Sequence, residues 1–257
     1  MSIVITINSG KGDKAKTTSI TLNNKSTILE LKKEYQKLTK KDIHRQSFKC
    51  EIGDKVTRLD DDSKTIQSYN LGDKPILVFK DLGPQIGYRT VFLWEYFGPM
   101  LFVGLYYKRP SIIYGINVTS EFNWVAQLGV ACWLVHFLKR EFETIFIHKF
   151  SRPTMPLSNL FKNCIYYWSF GAVIGYPLCS PSFVPPSETQ VYVGFTIFAL
   201  SELGNLICHI MLSSMRPAEG AQDRSIPKGF LFNYVACPNY TFEVLSWVGF
   251  SIMTQVR

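Results

Sequence analysis

The sequence predicts two unlike parts: an α+β domain over residues 1–82 and an all-α bundle of apolar helices over residues 83–257. Three observations carry this. Residues 1–83 hold 16 Lys/Arg and 11 Asp/Glu, whereas the remaining 174 hold only 12 and 9. Alternating apolar residues, the period of a strand, occur near the N-terminus, as in Ile3, Ile5 and Ile7. From about residue 90 onward, five long apolar segments replace that alternation.

Ile3–Ile7 and Ile20–Leu22 read as the first two strands, joined by a turn at Asn8-Ser-Gly-Lys-Gly-Asp13. Ser26-Thr-Ile-Leu-Glu30 has the pattern of a helix N-cap, and Leu29, Leu31, Tyr35 and Leu38 continue that helix. Phe48–Ile52 and Pro75–Phe79 read as later strands. This ββαββ order resembles a ubiquitin-like β-grasp. It lacks a Gly-Gly tail, so docking or spacing is expected of it rather than conjugation.

Asp81-Leu-Gly-Pro-Gln85 marks the boundary. The apolar segments lie at about 90–107, 122–138, 163–179, 190–213 and 240–256. A spanning helix needs roughly 20 apolar residues. The fourth segment meets this best, and the others are shorter and rich in aromatics. Together they predict a multi-pass membrane bundle, with Tyr106, Tyr107, Tyr166, Tyr167, Trp168 and Tyr192 as interfacial anchors. Lys139, Arg140, Lys149, Arg152 and Lys162 fall between the second and third segments. Arg216, Arg224 and Lys228 fall between the fourth and fifth. The positive-inside rule puts both loops, and hence the N-terminal domain, in the cytosol. Lys108 and Arg109 then lie on the luminal side, against the rule. So does the sequon Asn117-Val-Thr119; the second sequon, Asn239-Tyr-Thr241, faces the cytosol.

The formal net charge of +8 is not a nucleic-acid footprint, since basic residues near apolar segments more often set membrane orientation, and nucleic acid is not an expected partner. The N-terminus has no basic region or cleavage site of a signal peptide. The six cysteines form no CxxC and read as small buried hydrophobes. No dinucleotide fingerprint, P-loop, HExxH or GxSxG occurs. His136, His148 and His209 have no metal-like spacing, so no metal is expected.

Two polar stripes interrupt the apolar segments. Asn239, Glu243 and Trp247 are spaced i, i+4, i+8, and Asn205, His209 and Arg216 fall at i, i+4 and i+11. Polar groups in such helices are costly unless they line a polar cavity. They point to a buried site for a polar ligand.

Glu95-Tyr-Phe-Gly-Pro99, Lys139-Arg140, Met155-Pro-Leu157, Phe161 to Trp168, Gly204-Asn205, Met215-Arg-Pro217 and Cys237-Pro-Asn-Tyr-Thr-Phe-Glu243 occur in one order. In that order they resemble the very-long-chain trans-2-enoyl-CoA reductases of the steroid 5α-reductase superfamily. The resemblance implies an endoplasmic-reticulum oxidoreductase of lipid metabolism. It would use NADPH to reduce the 2,3 double bond of a very-long-chain enoyl-CoA, the last step of fatty-acid elongation, beside membrane lipid and the other elongation enzymes. A sterol or polyprenol reductase on the same scaffold, or an inactive membrane scaffold, are the alternatives.

Residue by residue, the resemblance makes Tyr240 the proton donor, a role open to a phenol because it is protonated at neutral pH. Lys139 joins it in the catalytic set. Asn205, His209, Arg216, Asn239, Glu243 and Arg140 would hold the cofactor, with Arg224 and Lys228 near its 2′-phosphate. Glu95 and Phe137 would face substrate. His209 stands where steroid reductases carry an acidic residue, and Phe137 where they carry a tyrosine. The resemblance also implies a further helix and a basic-aromatic tail after the fifth segment. The reductase domain is accordingly expected to be incomplete at Arg257.

Overall fold

A computed structural model describes residues 2–10, 16–52, 55–116, 118, 120–150, 152–216 and 226–256. The chain forms two compact units, one of residues 1–86 with Thr154–Leu157, the other of 87–153 with 158–257.

In the first unit, β1 (Ser2–Ser9) pairs antiparallel with β2 (Lys16–Asn23), setting Ile5 opposite Ile20. Helix α1 (Ile28–Thr39) follows. Its N-cap is Thr27, and the capping box closes from both sides: Glu30 N–H donates to Thr27 Oγ1 at 3.2 Å and Thr27 N–H to Glu30 Oε2 at 3.0 Å. Then come β3 (Gln46–Ile52), β4 (Lys55–Arg58) and β5 (Ile76–Asp81). The sheet order is β2-β1-β5-β3-β4, with β1 and β5 parallel. That is the arrangement of a ubiquitin-like β-grasp. It holds one strand, β4, beyond the ββαββ count, because a four-residue strand is too short to show a period. The inward residues Ile5, Ile7, Ile28, Leu31, Tyr35, Phe48 and Leu77 close one core.

Asp81 ends β5 and is clamped by Arg45 at 2.8 Å and Lys41 at 2.9 Å. Arg45 first, then Lys41, hold its carboxyl well below the usual carboxylate range. Beyond it a short ribbon pairs β6 (Gln85–Gly87) with β7 (Thr154–Pro156). The sequence reading assigns 154–157 to the helical part; here Leu157 N–H donates to the Pro84 carbonyl and the segment joins the first unit.

The second unit contains α2 (Tyr88–Tyr107), the single turn α3 (Ser111–Tyr114), α4 (Trp124–Phe142), α5 (Leu157–Leu178), α6 (Glu188–Ser214) and α7 (Pro238–Thr254). The five long helices coincide with the five apolar segments. Among the described residues only α6 is long and apolar enough to cross a membrane by length and composition. α7 has 17 residues, and α2, α4 and α5 dilute their aliphatic content with Tyr, Trp and polar residues. Yet every long helix turns large apolar side chains outward. Leu101, Val135, Ile165, Val173, Leu200 and Val248 are each at least 43% exposed.

Helices α6 and α7 cross closely at a pair of glycines. A Cβ on Gly194 would lie 2.6 Å from the Gly249 carbonyl, and one on Gly249 2.7 Å from the Gly194 carbonyl. This small-residue crossing holds the two polar stripes against each other. Arg109, a charge misplaced by the topology rule, has a structural task. Its guanidinium donates to the carbonyls of Cys179 at 2.8 Å and Ser120 at 2.7 Å and lies 3.6 Å from the Phe122 ring centroid. It ties the end of α5 to the segment before α4. Asn117 and Thr119 of the first sequon, and Arg224, lie outside the described residues.

Candidate active site

α7 opens with Pro238 at its first turn, where a missing N–H costs nothing. Asn239 and Glu243 follow on the face toward α6, while Tyr240 between them is largely exposed. Asn205 of α6 meets them: its Nδ2 donates to the Asn239 carbonyl at 2.9 Å and to Glu243 Oε2 at 3.3 Å. The two stripes seen in the sequence are one hydrogen-bonded group.

α4 supplies the third wall. After Phe142 its last turn widens into a π-type turn over Glu143–Ile147, which turns the buried Glu143 carboxylate back toward α6. Lys139 Nζ donates to Asn205 Oδ1 at 2.7 Å and lies 2.8 Å from Glu202 Oε2. Arg140 donates to Glu143 Oε2 at 2.8 Å and to the Tyr96 hydroxyl at 3.0 Å. His136 bridges two carboxylates, Glu202 at 2.7 Å and Glu243 at 3.4 Å. His209 Nδ1 lies 2.9 Å from Glu143 Oε2. Every buried charge here has an opposite partner, the condition for its burial.

Beyond the α4 spans, burial raises the Glu143 carboxyl. The His209 hydrogen bond and the charges of His209, Lys139 and Arg140 outweigh it and leave it at about 2. Burial, with the nearby Arg140 and His209, pushes the His148 imidazole down to about 4.

Two cavities meet at this network. The more polar one, about 490 Å³, is lined by Arg140, His148, Lys149, Arg152, His209 and Arg216, by Asn205, Asn239, Tyr240 and Glu243, and by an apolar side of Tyr88, Phe92, Phe150 and Leu212. The apolar one, about 370 Å³, is lined by Trp133, Phe137, Tyr166, Phe170, Trp247 and Phe250 among others. Tyr96, Tyr167 and Glu243 line both and form the wall between them. Along α7 the apolar cavity runs from Glu243 to Ser251, about 12 Å at 1.5 Å per residue, and reaches Val256 past the helix end.

The structure thus brings Asn205, His209, Arg216, Asn239, Tyr240, Glu243 and Arg140 to one cavity, with Phe137 on its apolar neighbour. Lys139 and Glu95 line neither. Lys139 stands behind Asn205. Glu95 is buried, accepts a hydrogen bond from Asn163 Nδ2, and faces α5. Lys228 is exposed and lines neither cavity. Tyr167, expected as an interfacial anchor, is part of the shared wall.

Sequence reasoning missed Glu143, Glu202, Tyr96, His148 and Lys149. Glu202 was detectable, since it continues the Asn205, His209 stripe one turn earlier. His148 was not, because it follows an irregular turn that no periodicity predicts.

Glu143, His148 and His209 bring three metal-capable ligand atoms within 4.8 Å of one another. Their sequence spacing gives no hint of this. Arg140 Nη1 already bonds Glu143 and lies 3.1 Å from His209 Nδ1, so a divalent cation would meet a fixed positive charge. Glu143 with Arg140 and His209 forms an ion-pair node, beside which His148 packs.

A family model described as 3-oxo-5-alpha-steroid 4-dehydrogenase matches residues 153–256. Over 244 residues the chain is 44% identical to a probable very-long-chain enoyl-CoA reductase of Caenorhabditis elegans, covering 91% of this chain and 78% of that one. It is 39% identical over 244 residues to a very-long-chain enoyl-CoA reductase of Dictyostelium discoideum, covering 92% and 79%. Among solved structures, the C-terminal ubiquitin-like domain of mouse tubulin-specific chaperone e aligns with 34% of this chain and 92% of its own. That alignment has 17% identity and a TM-score of 0.30, and the β-grasp assignment rests on the strand order instead. With such identity over most of both chains, this chain belongs to the very-long-chain enoyl-CoA reductases of the steroid 5α-reductase superfamily, a family of oxidoreductases.

Proposed function

We propose that the chain reduces the 2,3 double bond of very-long-chain trans-2-enoyl-CoA with NADPH, closing the fatty-acid elongation cycle. The observation that carries this is the pair of cavities sharing one wall. A cationic polar cavity suits a phosphate-rich cofactor, and an apolar one suits an acyl chain. The donor set fits NADPH. Arg140, Lys149, Arg152 and Arg216 line the polar cavity, and Glu243 is its one lining carboxylate among the described residues. Guanidinium groups bind phosphates bidentately.

Bound NADPH would supply the hydride for the β-carbon. This chain's residues do the rest. Arg216, Lys149 and Arg152 hold phosphate charge, with Arg140 at the rear of the cavity. Asn205, Asn239 and Glu243 present one fixed hydrogen-bonding face, and His209 fixes Glu143 beside Arg140. Tyr240 delivers a proton to the α-carbon. Phe137, Trp133 and Phe250 keep water from the acyl chain.

The outward apolar side chains on all five long helices support a multi-pass membrane protein. We place it in the endoplasmic reticulum, with the N-terminal domain and the active site facing the cytosol beside the other elongation enzymes. The test is NADPH oxidation by the chain in membranes, with trans-2-enoyl-CoAs, a sterol and a polyprenol offered in parallel. Turnover of the enoyl-CoA supports the reading. Turnover of the sterol or polyprenol alone would replace it with reduction on the same scaffold. Cofactor binding without turnover of any would leave a scaffold role.

A further inference from the structure

Tyr96 on α2 stands at the wall shared by the two cavities and is only 2% exposed. A phenol can accept hydrogen bonds and has one proton to donate. Its oxygen accepts from Arg140 Nη2 at 3.0 Å, and the guanidinium carbon lies 5.2 Å from the ring centroid. Its proton has no acceptor among the described residues. Leaving a buried donor unmatched is costly unless an acceptor arrives. The ring is fixed by Phe92 at 5.9 Å, Tyr167 at 5.6 Å and Phe137 at 6.3 Å between centroids. Phe137 has no hydroxyl. Tyr167 shares the wall but has no hydrogen bond from a guanidinium.

We propose that Tyr96, polarised by Arg140, donates a hydrogen bond to the thioester carbonyl oxygen of the substrate and stabilises the negative charge that grows there. The proposal rests on the reduction described above. With the acyl chain in the apolar cavity and the cofactor in the polar one, the reacting carbons lie at the wall that Tyr96 helps form. Hydride supplied to the β-carbon would push the π electrons of the double bond through the α-carbon onto the carbonyl oxygen. Protonation of the α-carbon then returns the carbonyl. Tyr96 keeps its own proton throughout, so its role is electrostatic and separate from that of Tyr240. A donor fixed before reaction needs no reorganisation, which is why such groups contribute strongly.

The test uses the full chain in detergent with a saturated acyl-CoA labelled with ¹³C at the thioester carbonyl. In the parent protein, infrared difference spectra should show the bound carbonyl stretch at lower frequency than in solution. Tyr96→Phe should abolish that shift and lower kcat about 100- to 1,000-fold, the usual effect of deleting one oxyanion donor. KM and NADPH affinity should stay within a few fold. An unshifted carbonyl in the parent would overturn the proposal without any variant. Full kcat in Tyr96→Phe would do so too, as would a shift lost in Tyr167→Phe and kept in Tyr96→Phe. Joint loss of NADPH affinity and thermal stability in Tyr96→Phe would make the residue a packing element and nothing more. If the parent binds acyl-CoA with a shifted carbonyl but reduces no enoyl-CoA, the reaction assignment fails and the donor remains.

Discussion

Lys139 reaches Asn205 and not the cavity: its Nζ donates to Asn205 Oδ1 at 2.7 Å, and the other end of that amide bonds the Asn239 carbonyl. One side chain of α4 thus sets the orientation of an amide on α6 and, through it, the first turn of α7. Lys139 also faces Glu202 at 2.8 Å and Glu143 at 3.6 Å, all three largely buried. Lys139→Met should therefore destabilise, by less than the roughly 3–5 kcal/mol of a fully unpaired buried charge, because Glu202 keeps His136 and Glu143 keeps Arg140 and His209. Lys139→Arg should cost less. Unfolding in detergent measures both. Unchanged stability with abolished turnover would put Lys139 in the chemistry directly.

Arg216 and Lys149 strap each other through their backbones. Lys149 Nζ donates to the Arg216 carbonyl at 2.7 Å, and the Arg216 guanidinium donates to the Lys149 carbonyl. Both line the polar cavity. On the proposed phosphate role, Arg216→Ala should remove a charge-assisted bond worth about 1.5–3 kcal/mol, or roughly 10- to 150-fold in NADPH affinity. Fluorescence titration checks this. Equal affinity in a folded variant would leave Arg216 a strap alone.

His148 gives the site a pH signature. Its folded pKa of about 4 lies below the ordinary value near 6.5. Between these values the unfolded chain binds the proton and the folded one does not. Stability is then fully present above pH 6.5 and is lost as pH falls toward 4, by no more than about 1.4 kcal/mol per unit. Glu143, held at about 2, adds a second loss below its unfolded value near 4.5. His148→Gln should flatten unfolding free energy against pH between 6.5 and 4.5 and leave the lower limb. An unchanged upper limb would assign it to another group.

The two polar stripes and all five long helices were legible because period and apolar length are local properties of the sequence. Asn205, Asn239 and Glu243 were readable for the same reason: each breaks an apolar run at helical spacing. What joins the stripes was not. Glu143 is brought in by a π-type turn, and Tyr96 reads as one aromatic among many on α2. Arg109 reads as a misplaced topology charge until the Cys179 and Ser120 carbonyls come into contact with it. Such roles depend on which helices are neighbours, and no spacing within one helix encodes that.

Cys237 is exposed immediately before α7 and is a native reporter of which side the site faces. In sealed microsomes an impermeant maleimide should label it from the cytosolic face, and Cys237→Ser should remove that label. Labelling only after the membrane is opened would reverse the proposed orientation.

Tyr240 is the proposed proton donor. It lines the polar cavity yet is 68% exposed, so its hydroxyl can exchange with solvent between turnovers. An anchor role needs the ring; a donor role needs the O–H. Tyr240→Phe separates them, since it keeps the ring and the α7 turn that Asn205 holds through Asn239. General acid catalysis contributes about 100- to 10,000-fold. The variant should fold, bind NADPH like the parent and lose most of its turnover of trans-2-enoyl-CoA. The carbonyl shift assigned to Tyr96 should persist in it, because the two phenols act on different atoms. Parent-level turnover in Tyr240→Phe would send the proton through another group. Loss of the carbonyl shift in Tyr240→Phe would instead make Tyr240 the oxygen's partner, and the division of labour between α2 and α7 would fall.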